Sequence, residues 1–230
     1  MTIPLITNEL DFLETLVPLA DVRIVEAGCG AAQLARELVG RHGKTAVVGV
    51  EVDERQLAKN LSSPTERLRF EHASAQALPF ADASFDGALM LKSLHHVPMA
   101  LMDQALAEIA RVLHPGGWLY VSEPVFAGPL NELIRLFNDE AEVRAAAQAA
   151  LDRALASGRW TSAADERFEM PVSFTNFDEF EQRMMRPTFA DHGIDAAMVE
   201  RVKSRFLPHL AADGAHFTRP MHARLLRKIR

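Results

Sequence analysis

The stretch VEAGCGAAQLA, residues 25–35, joins an apolar run to a helical pattern through a loop with glycines at 28 and 30 and an acid at 26. Glycine permits positive φ and lets a ligand approach the backbone, and the first turn of the next helix offers N–H groups with no partner inside that helix. The dinucleotide pattern G-x-G-x-x-G is not met, because Gln33 stands where its third glycine would be. A plain tight turn would use the same two glycines. Glu26 narrows the choice of ligand. A carboxylate two residues before Gly28 repels a pyrophosphate and attracts a cation. A ligand carrying both an ammonium and a carboxylate suits an acid beside a helix N-terminus. The competing reading of Glu26 is a strand-end acid facing solvent.

Outward from this loop, short apolar runs alternate with helical patterns. VRIVEA (22–27), TAVVGVEV (45–52), RLRFEHA (67–73), SFDGALMLKSL (84–94) and GGWLYVSEP (116–124) read as five strands. Helical patterns lie between them, the longest being PMALMDQALAEIARVL (98–113). Continuous apolar strands separated by helices indicate βαβ units and a parallel sheet. After Pro124, residues 129–158 read as one or two helices, RFEMPVSF (167–174) as a strand, 176–185 and 195–210 as helices, and 216–229 as a final strand. No Gly/Ser-rich linker divides the chain. One domain over 1–230 is expected: a cofactor-binding core over 1–124, a helical insertion over 125–165, and strands and helices over 166–230.

Glu51 closes the second strand, about 23 residues after Gly28, where an open α/β sheet places an acid that holds ribose hydroxyls. Asp53 is expected to cap the following helix. The formal net charge of −6 gives no electrostatic case for nucleic acid or an anionic membrane. No segment has the apolar length to span a bilayer. The N-terminal residues carry Glu9, Asp11 and Glu14 within their apolar pattern and do not read as a signal peptide. One cysteine, Cys29, cannot form an internal disulfide, which suits a reducing cytoplasm.

At this point the chain resembles the class I S-adenosylmethionine-dependent methyltransferases, in particular their small-molecule branch. VEAGCGAA is similar to the family's E/D-x-G-x-G-x-G loop, and VVGVEVDERQL (47–57) to its G-V-D-x-S-x-x-x-L segment. EHASAQALPFADASFDGALMLKSLHHV (71–97) resembles G-D-A-x-x-L-P-F-x-x-x-S-F-D with the L-x-H motif behind it. EIARVLHPGGWLYVSEP (108–124) is close to the R-x-L-x-P-G-G signature. The resemblance covers about Val22 to Pro124. It implies a Rossmann-like, doubly wound α/β fold with a mostly parallel seven-stranded sheet, an antiparallel last strand, and a helical insertion between strands five and six. It implies S-adenosyl-L-methionine as cofactor and S-adenosyl-L-homocysteine as product.

Residue by residue, the resemblance puts Gly28 and Gly30 behind the methionine portion and Glu26 at its amino group. It puts Glu51 at the ribose, Val52 beside the adenine, Ser74 and Ala75 at the adenine edge, and Leu91 or Lys92 at the methionine end. Two positions depart from the pattern. Ser74 replaces the usual aspartate, though its hydroxyl still accepts a hydrogen bond. Ala32 replaces the third loop glycine, which expects negative φ there.

Methyl transfer needs alignment first and a base only if the acceptor must lose a proton. His95 and His96 follow the fourth strand and Glu123 ends the fifth, at the carboxyl ends of strands that face the ligand crevice in such sheets. Packing, helix capping and acceptor chemistry are all open to the two histidines. His95 and Glu123 are expected to face the acceptor, and His96 to serve local structure. No metal is expected, since these residues share no helical ligand spacing. The phenylalanines and methionines after Pro124 would suit a lid, but read first as helix core. The expected partners are a small-molecule acceptor and at most a second copy of the chain, with no nucleic acid and no membrane. Two rival readings remain: a non-catalytic fold relative serving as a partner subunit, and an NAD-dependent dehydrogenase, against which Gln33 and Glu26 argue.

Overall fold

The computed structural model describes residues 3–187 and 193–229. Strands β1 (Arg23–Ala27), β2 (Ala46–Glu51), β3 (Leu68–His72), β4 (Phe85–Leu91) and β5 (Leu113–Pro124) form the parallel half of a single sheet. β6 (Trp160–Phe174) and β8 (Gly214–Lys228) complete the order β3-β2-β1-β4-β5-β8-β6, with β8 antiparallel to both neighbours. The short β7 (Leu210–Ala211) pairs with β8 beside this path, so among the described residues the sheet has eight strands where seven are expected. The order turns back between β1 and β4, which opens the crevice where such sheets bind ligands.

Side-chain alternation in the strands builds two cores, one on each face. Val25, Val48, Met90 and Val121 pack against α4 (Met102–Val112) and α6 (Ala141–Ala156) through Leu106, Ile109 and Leu151. Ile24, Val47, Leu89 and Tyr120 pack on the other face against α1 (Glu9–Leu16) and α2 (Gln33–Arg41) through Leu10, Leu13 and Leu38. The sequence reading does not anticipate α1; Asn8 caps it by accepting from the Leu10 and Asp11 N–H groups. α3 (Glu54–Leu61) is capped by Asp53, whose carboxylate accepts from Arg55 N at 2.9 Å, as expected.

Beyond β5 the chain forms α5 (Pro129–Ile134) and α6, which ends at Ala156. β6 then begins at Trp160, inside the stretch read from sequence as insertion. It is an edge strand with mostly exposed, polar side chains up to Arg167, so no apolar pattern announces it. α7 (Phe177–Phe180), a π-helical turn over Glu181–Met185 and α8 (Ala196–Phe206) enclose a third core of Phe174, Phe177, Phe180, Phe206 and Phe217. Phe177 and Phe180 are therefore core residues, and Phe137 and Met184 pack against them. Among the described residues no helix is long and apolar enough to cross a membrane.

Candidate active site

The glycine loop runs from the end of β1 into α2. Gly28 has φ +71°, and a side chain there would put its Cβ 2.7 Å from the Cβ of Ser93. Gly30 has φ +50° with open space where a Cβ would project, the arrangement that lets a ligand lie on the backbone. Ala32 also lies in the left-handed region, at φ 53°, contrary to the expectation from its side chain. It ends the loop as the N-cap of α2, and that geometry holds despite the Cβ penalty.

The loop is tied down from below. Gly28 N and Cys29 N both donate to Val50 O, at 2.9 and 3.0 Å, so these two N–H groups are not the ones left open for a ligand. Asn60 Nδ2 donates to Gly30 O at 2.7 Å. Glu51 Oε2 accepts from Gly30 N at 2.8 Å, while Oε1 accepts from Val52 N and Asp53 N at 2.9 Å each. Expected as a ribose acid, Glu51 therefore also clamps the loop. A carboxylate has about four lone-pair sites, so three backbone donors leave room for one more partner.

The open donors lie one turn on. No side chain caps α2, and Gln33 and Leu34 of its first turn line a cavity of about 330 Å³ together with Asn8, Glu9, Glu26 and Lys92. Glu26 is buried, not solvent-facing, and its Oε2 has no hydrogen-bond partner among the described residues. Burial pushes its pKa up to about 8; Lys92 works against the rise, and Glu9 and Glu51 add to it. An unpartnered buried acceptor beside a bare helix N-terminus fits a zwitterion whose ammonium meets Glu26 and whose carboxylate meets α2. The residues present thus fit the methionine end of S-adenosylmethionine.

Leu91 and Lys92, at the end of β4, line the same cavity. Lys92 has φ 55°, and its Nζ reaches Glu9 Oε2 at 3.0 Å; Tyr120 Oη donates to Glu9 Oε1 at 3.2 Å. Glu9 was not a sequence candidate. It is only 6% exposed, and no motif surrounds it. Val52 is 60% exposed at the end of β2, an apolar face free to meet a planar base. Ser74 and Ala75 are half-buried, Ser74 in an isolated bridge with Ala77 and Ala75 against the core. Cys29 is buried, and burial pushes its thiol far above the usual range, so it is no thiolate nucleophile.

Three residues past Lys92 the chain reaches the histidines. His95 is buried, and its Nδ1 is in short contact with Glu123 Oε2, while Glu123 Oε1 accepts from Leu94 N at 2.9 Å. In the neutral ring a carboxylate on Nδ1 fixes the proton there and leaves the Nε2 lone pair as the basic site. Nε2 points toward Glu140 Oε1 at 4.0 Å, too far for a direct hydrogen bond. The His95 and His96 rings lie 4.0 Å apart. Burial, then the neighbouring His95, lowers His96 to a pKa of about 4, so it is neutral at pH 7.

Glu140, just before α6, is the second residue that sequence reading missed. Burial raises its pKa, but His95 and Arg144 outweigh that and hold it below the usual carboxylate range. His95, His96 and Glu140 each bring a metal-ligand atom within 4.8 Å of the others, a grouping that spacing along one helix does not reveal. Arg144 grips Glu140 Oε2 through Nη2 at 2.5 Å and Nε at 3.1 Å. That cation opposes a divalent ion at the same carboxylate.

Residues 25–121 match the family described as "Methyltransferase domain". An O-methyltransferase of Penicillium expansum, cnsE, is 35% identical over 121 residues, covering 50% of this chain and 42% of the relative. The 27-O-demethylrifamycin SV methyltransferase of Amycolatopsis mediterranei is 33% identical over 123 residues, covering 51% of this chain and 44% of the relative. The chain thus spans less than half the length of these curated relatives. Among solved structures, the YcgJ protein of Bacillus subtilis superposes with a TM-score of 0.69, over 96% of this chain and 98% of that one, at 19% identity; the likeness is one of fold.

Proposed function

We propose, from the match of residues 25–121 to a methyltransferase domain, that this chain is an S-adenosylmethionine-dependent methyltransferase acting on a hydroxyl of a small-molecule acceptor. The observation that carries this reading is the buried His95–Glu123 pair, three residues beyond a cavity holding an unpartnered Glu26. When bound, S-adenosylmethionine supplies an electrophilic methyl group on a sulfonium and is left as S-adenosylhomocysteine.

The chain's own residues hold, align and deprotonate. Glu26 would receive the ammonium of the methionine end, with Gly28 and Gly30 behind it and the first turn of α2 at the carboxylate. Leu91 and Lys92 would border the same end, Glu51 would offer its remaining lone pair to the ribose, and Val52, Ser74 and Ala75 would meet the adenine. His95 Nε2 takes the proton of the acceptor hydroxyl as the new C–O bond forms. Glu123 holds the imidazole in the right tautomer and stabilises the imidazolium, and Glu140 adds a second negative charge 4.0 Å from Nε2. His96, neutral at pH 7, packs against His95 and closes the site. An O-methyl acceptor is favoured because a hydroxyl is the nucleophile that gains most from such a base, and of the two curated relatives described above one is named an O-methyltransferase and the other a methyltransferase of a 27-O-demethyl compound.

The test is calorimetric titration with S-adenosylmethionine, S-adenosylhomocysteine and NAD. The reading expects micromolar binding of the first two and none of the third. Binding of NAD alone would overturn it.

A further inference from the structure

A second niche opens past the carboxyl end of β5, lined by Val125, Asn131, Ile134, Arg144, Arg219 and Pro220 among others. It lies beside the base: Val125 N donates to Pro220 O, and Pro124 pairs with Met221 one strand over. Its side chains include two guanidinium groups and an amide, and Arg144 Nη1 donates to Val125 O at 3.3 Å. Arg144 Nη1 also donates to Asn131 Oδ1 at 3.1 Å, which fixes the amide so that Nδ2 is the atom left over. Asn131 is 5% exposed, and that buried Nδ2 has no acceptor among the described residues.

Arg219 is half-buried, and its guanidinium has no hydrogen-bond or carboxylate partner among the described residues. Burial, then the like charges of Arg144 and Arg183, pull it below the usual arginine range, with Glu140 the one acid opposing them. Arg183 is paired with Glu179, and Glu140 with Arg144, which leaves the charge of Arg219 uncompensated. An orphaned amide donor is costly until an acceptor completes it, and the half-buried guanidinium beside it selects for an anionic one.

Building on the methyltransferase reading, we propose that this niche recognises an anionic oxygen of the acceptor, through Arg219 and Asn131 Nδ2, so that the substrate class is a hydroxylated carboxylate or phosphate. The niche holds about 10 Å³, room for one water-sized group. It takes the tip of the anion, and the rest of the acceptor runs outward toward His95. Arg144 links the two places, since it touches Asn131 in the niche and Glu140 beside His95. No covalent step is involved.

The experiment titrates the intact chain with acetate and with inorganic phosphate, against chloride at equal ionic strength, reading chemical shifts or melting temperature. The wild-type chain should bind one or both in the millimolar range, and the stronger of the two arms identifies the group. Arg219→Gln should weaken that binding at least tenfold. Asn131→Asp, which keeps the acceptor for Arg144 but turns the free donor into an acceptor, should weaken it similarly. Arg219→Lys should fall between. S-adenosylhomocysteine affinity, unchanged in all three variants, shows that they are folded. Anion binding that is absent in the wild type, or equal in wild type and Arg219→Gln, overturns the proposal. Loss of S-adenosylhomocysteine binding in the wild type would instead sink the methyltransferase reading and leave the anion niche standing.

Discussion

Replacing Glu26 with glutamine tests the charge of the cofactor cavity. Glu26 is 2% exposed, and burial lifts its pKa from 4.5 to about 8. Between those two values the native state holds a proton that the unfolded chain has released, so stability falls as pH rises through that window and levels off above it. At about 1.36 kcal/mol per pH unit the penalty above pH 8 is on the order of 3–5 kcal/mol. Glu26→Gln is neutral throughout and nearly isosteric. It should match the wild type near pH 4.5 and exceed it by several kcal/mol at pH 8.5, read as a higher urea midpoint at constant m. The same variant should bind S-adenosylmethionine roughly 10–150-fold more weakly, the worth of a hydrogen bond to a charged group. Wild-type binding near pH 7 should also release a proton, visible as a buffer-dependent heat. If the two proteins show the same stability at every pH, Glu26 is ionised in the free chain, and the cavity is not the charge-hungry site inferred from it.

Glu51→Ala should weaken S-adenosylmethionine by about 1.5–3 kcal/mol and, because it strands three backbone donors, should also lower the melting temperature; an unchanged affinity by calorimetry would place the ribose elsewhere. Ala32→Gly should relieve a left-handed alanine and raise stability by up to about 1 kcal/mol, with cofactor affinity nearly unaltered. A fall in its urea midpoint would show that the methyl group of Ala32 contributes packing that outweighs the strain. His96→Ala should cost stability before turnover, and a large loss of turnover at unchanged melting temperature would move the base to His96.

The parallel half of the sheet is legible in sequence because β1, β2, β4 and β5 are covered on both faces and so read as unbroken apolar runs. The glycine loop is equally legible, since Gly28 and Gly30 both need positive φ. What escapes the sequence is whatever depends on distant segments meeting. Glu9 is a buried member of the cavity wall only because Lys92 and Tyr120 fold against α1. Glu140 reaches His95 only because the chain ahead of α6 returns over the segment after β4. Arg219 meets Asn131 and Arg144 only because β8 returns beside β5. The left-handed φ of Ala32 misleads for the opposite reason: local propensity is a weak rule where surrounding hydrogen bonds fix the loop.

The central claim, that His95 deprotonates a small-molecule hydroxyl for methyl transfer, is tested most directly by following a labelled methyl group. Wild type, His95→Ala and Glu123→Gln are each incubated with methyl-labelled S-adenosylmethionine and a panel of hydroxylated carboxylates and phosphates, and label in the acceptor is counted. The account predicts transfer by the wild type to at least one panel member. It predicts a fall of about 10²–10⁴-fold in His95→Ala, with S-adenosylhomocysteine affinity preserved. Full transfer by both variants would contradict it.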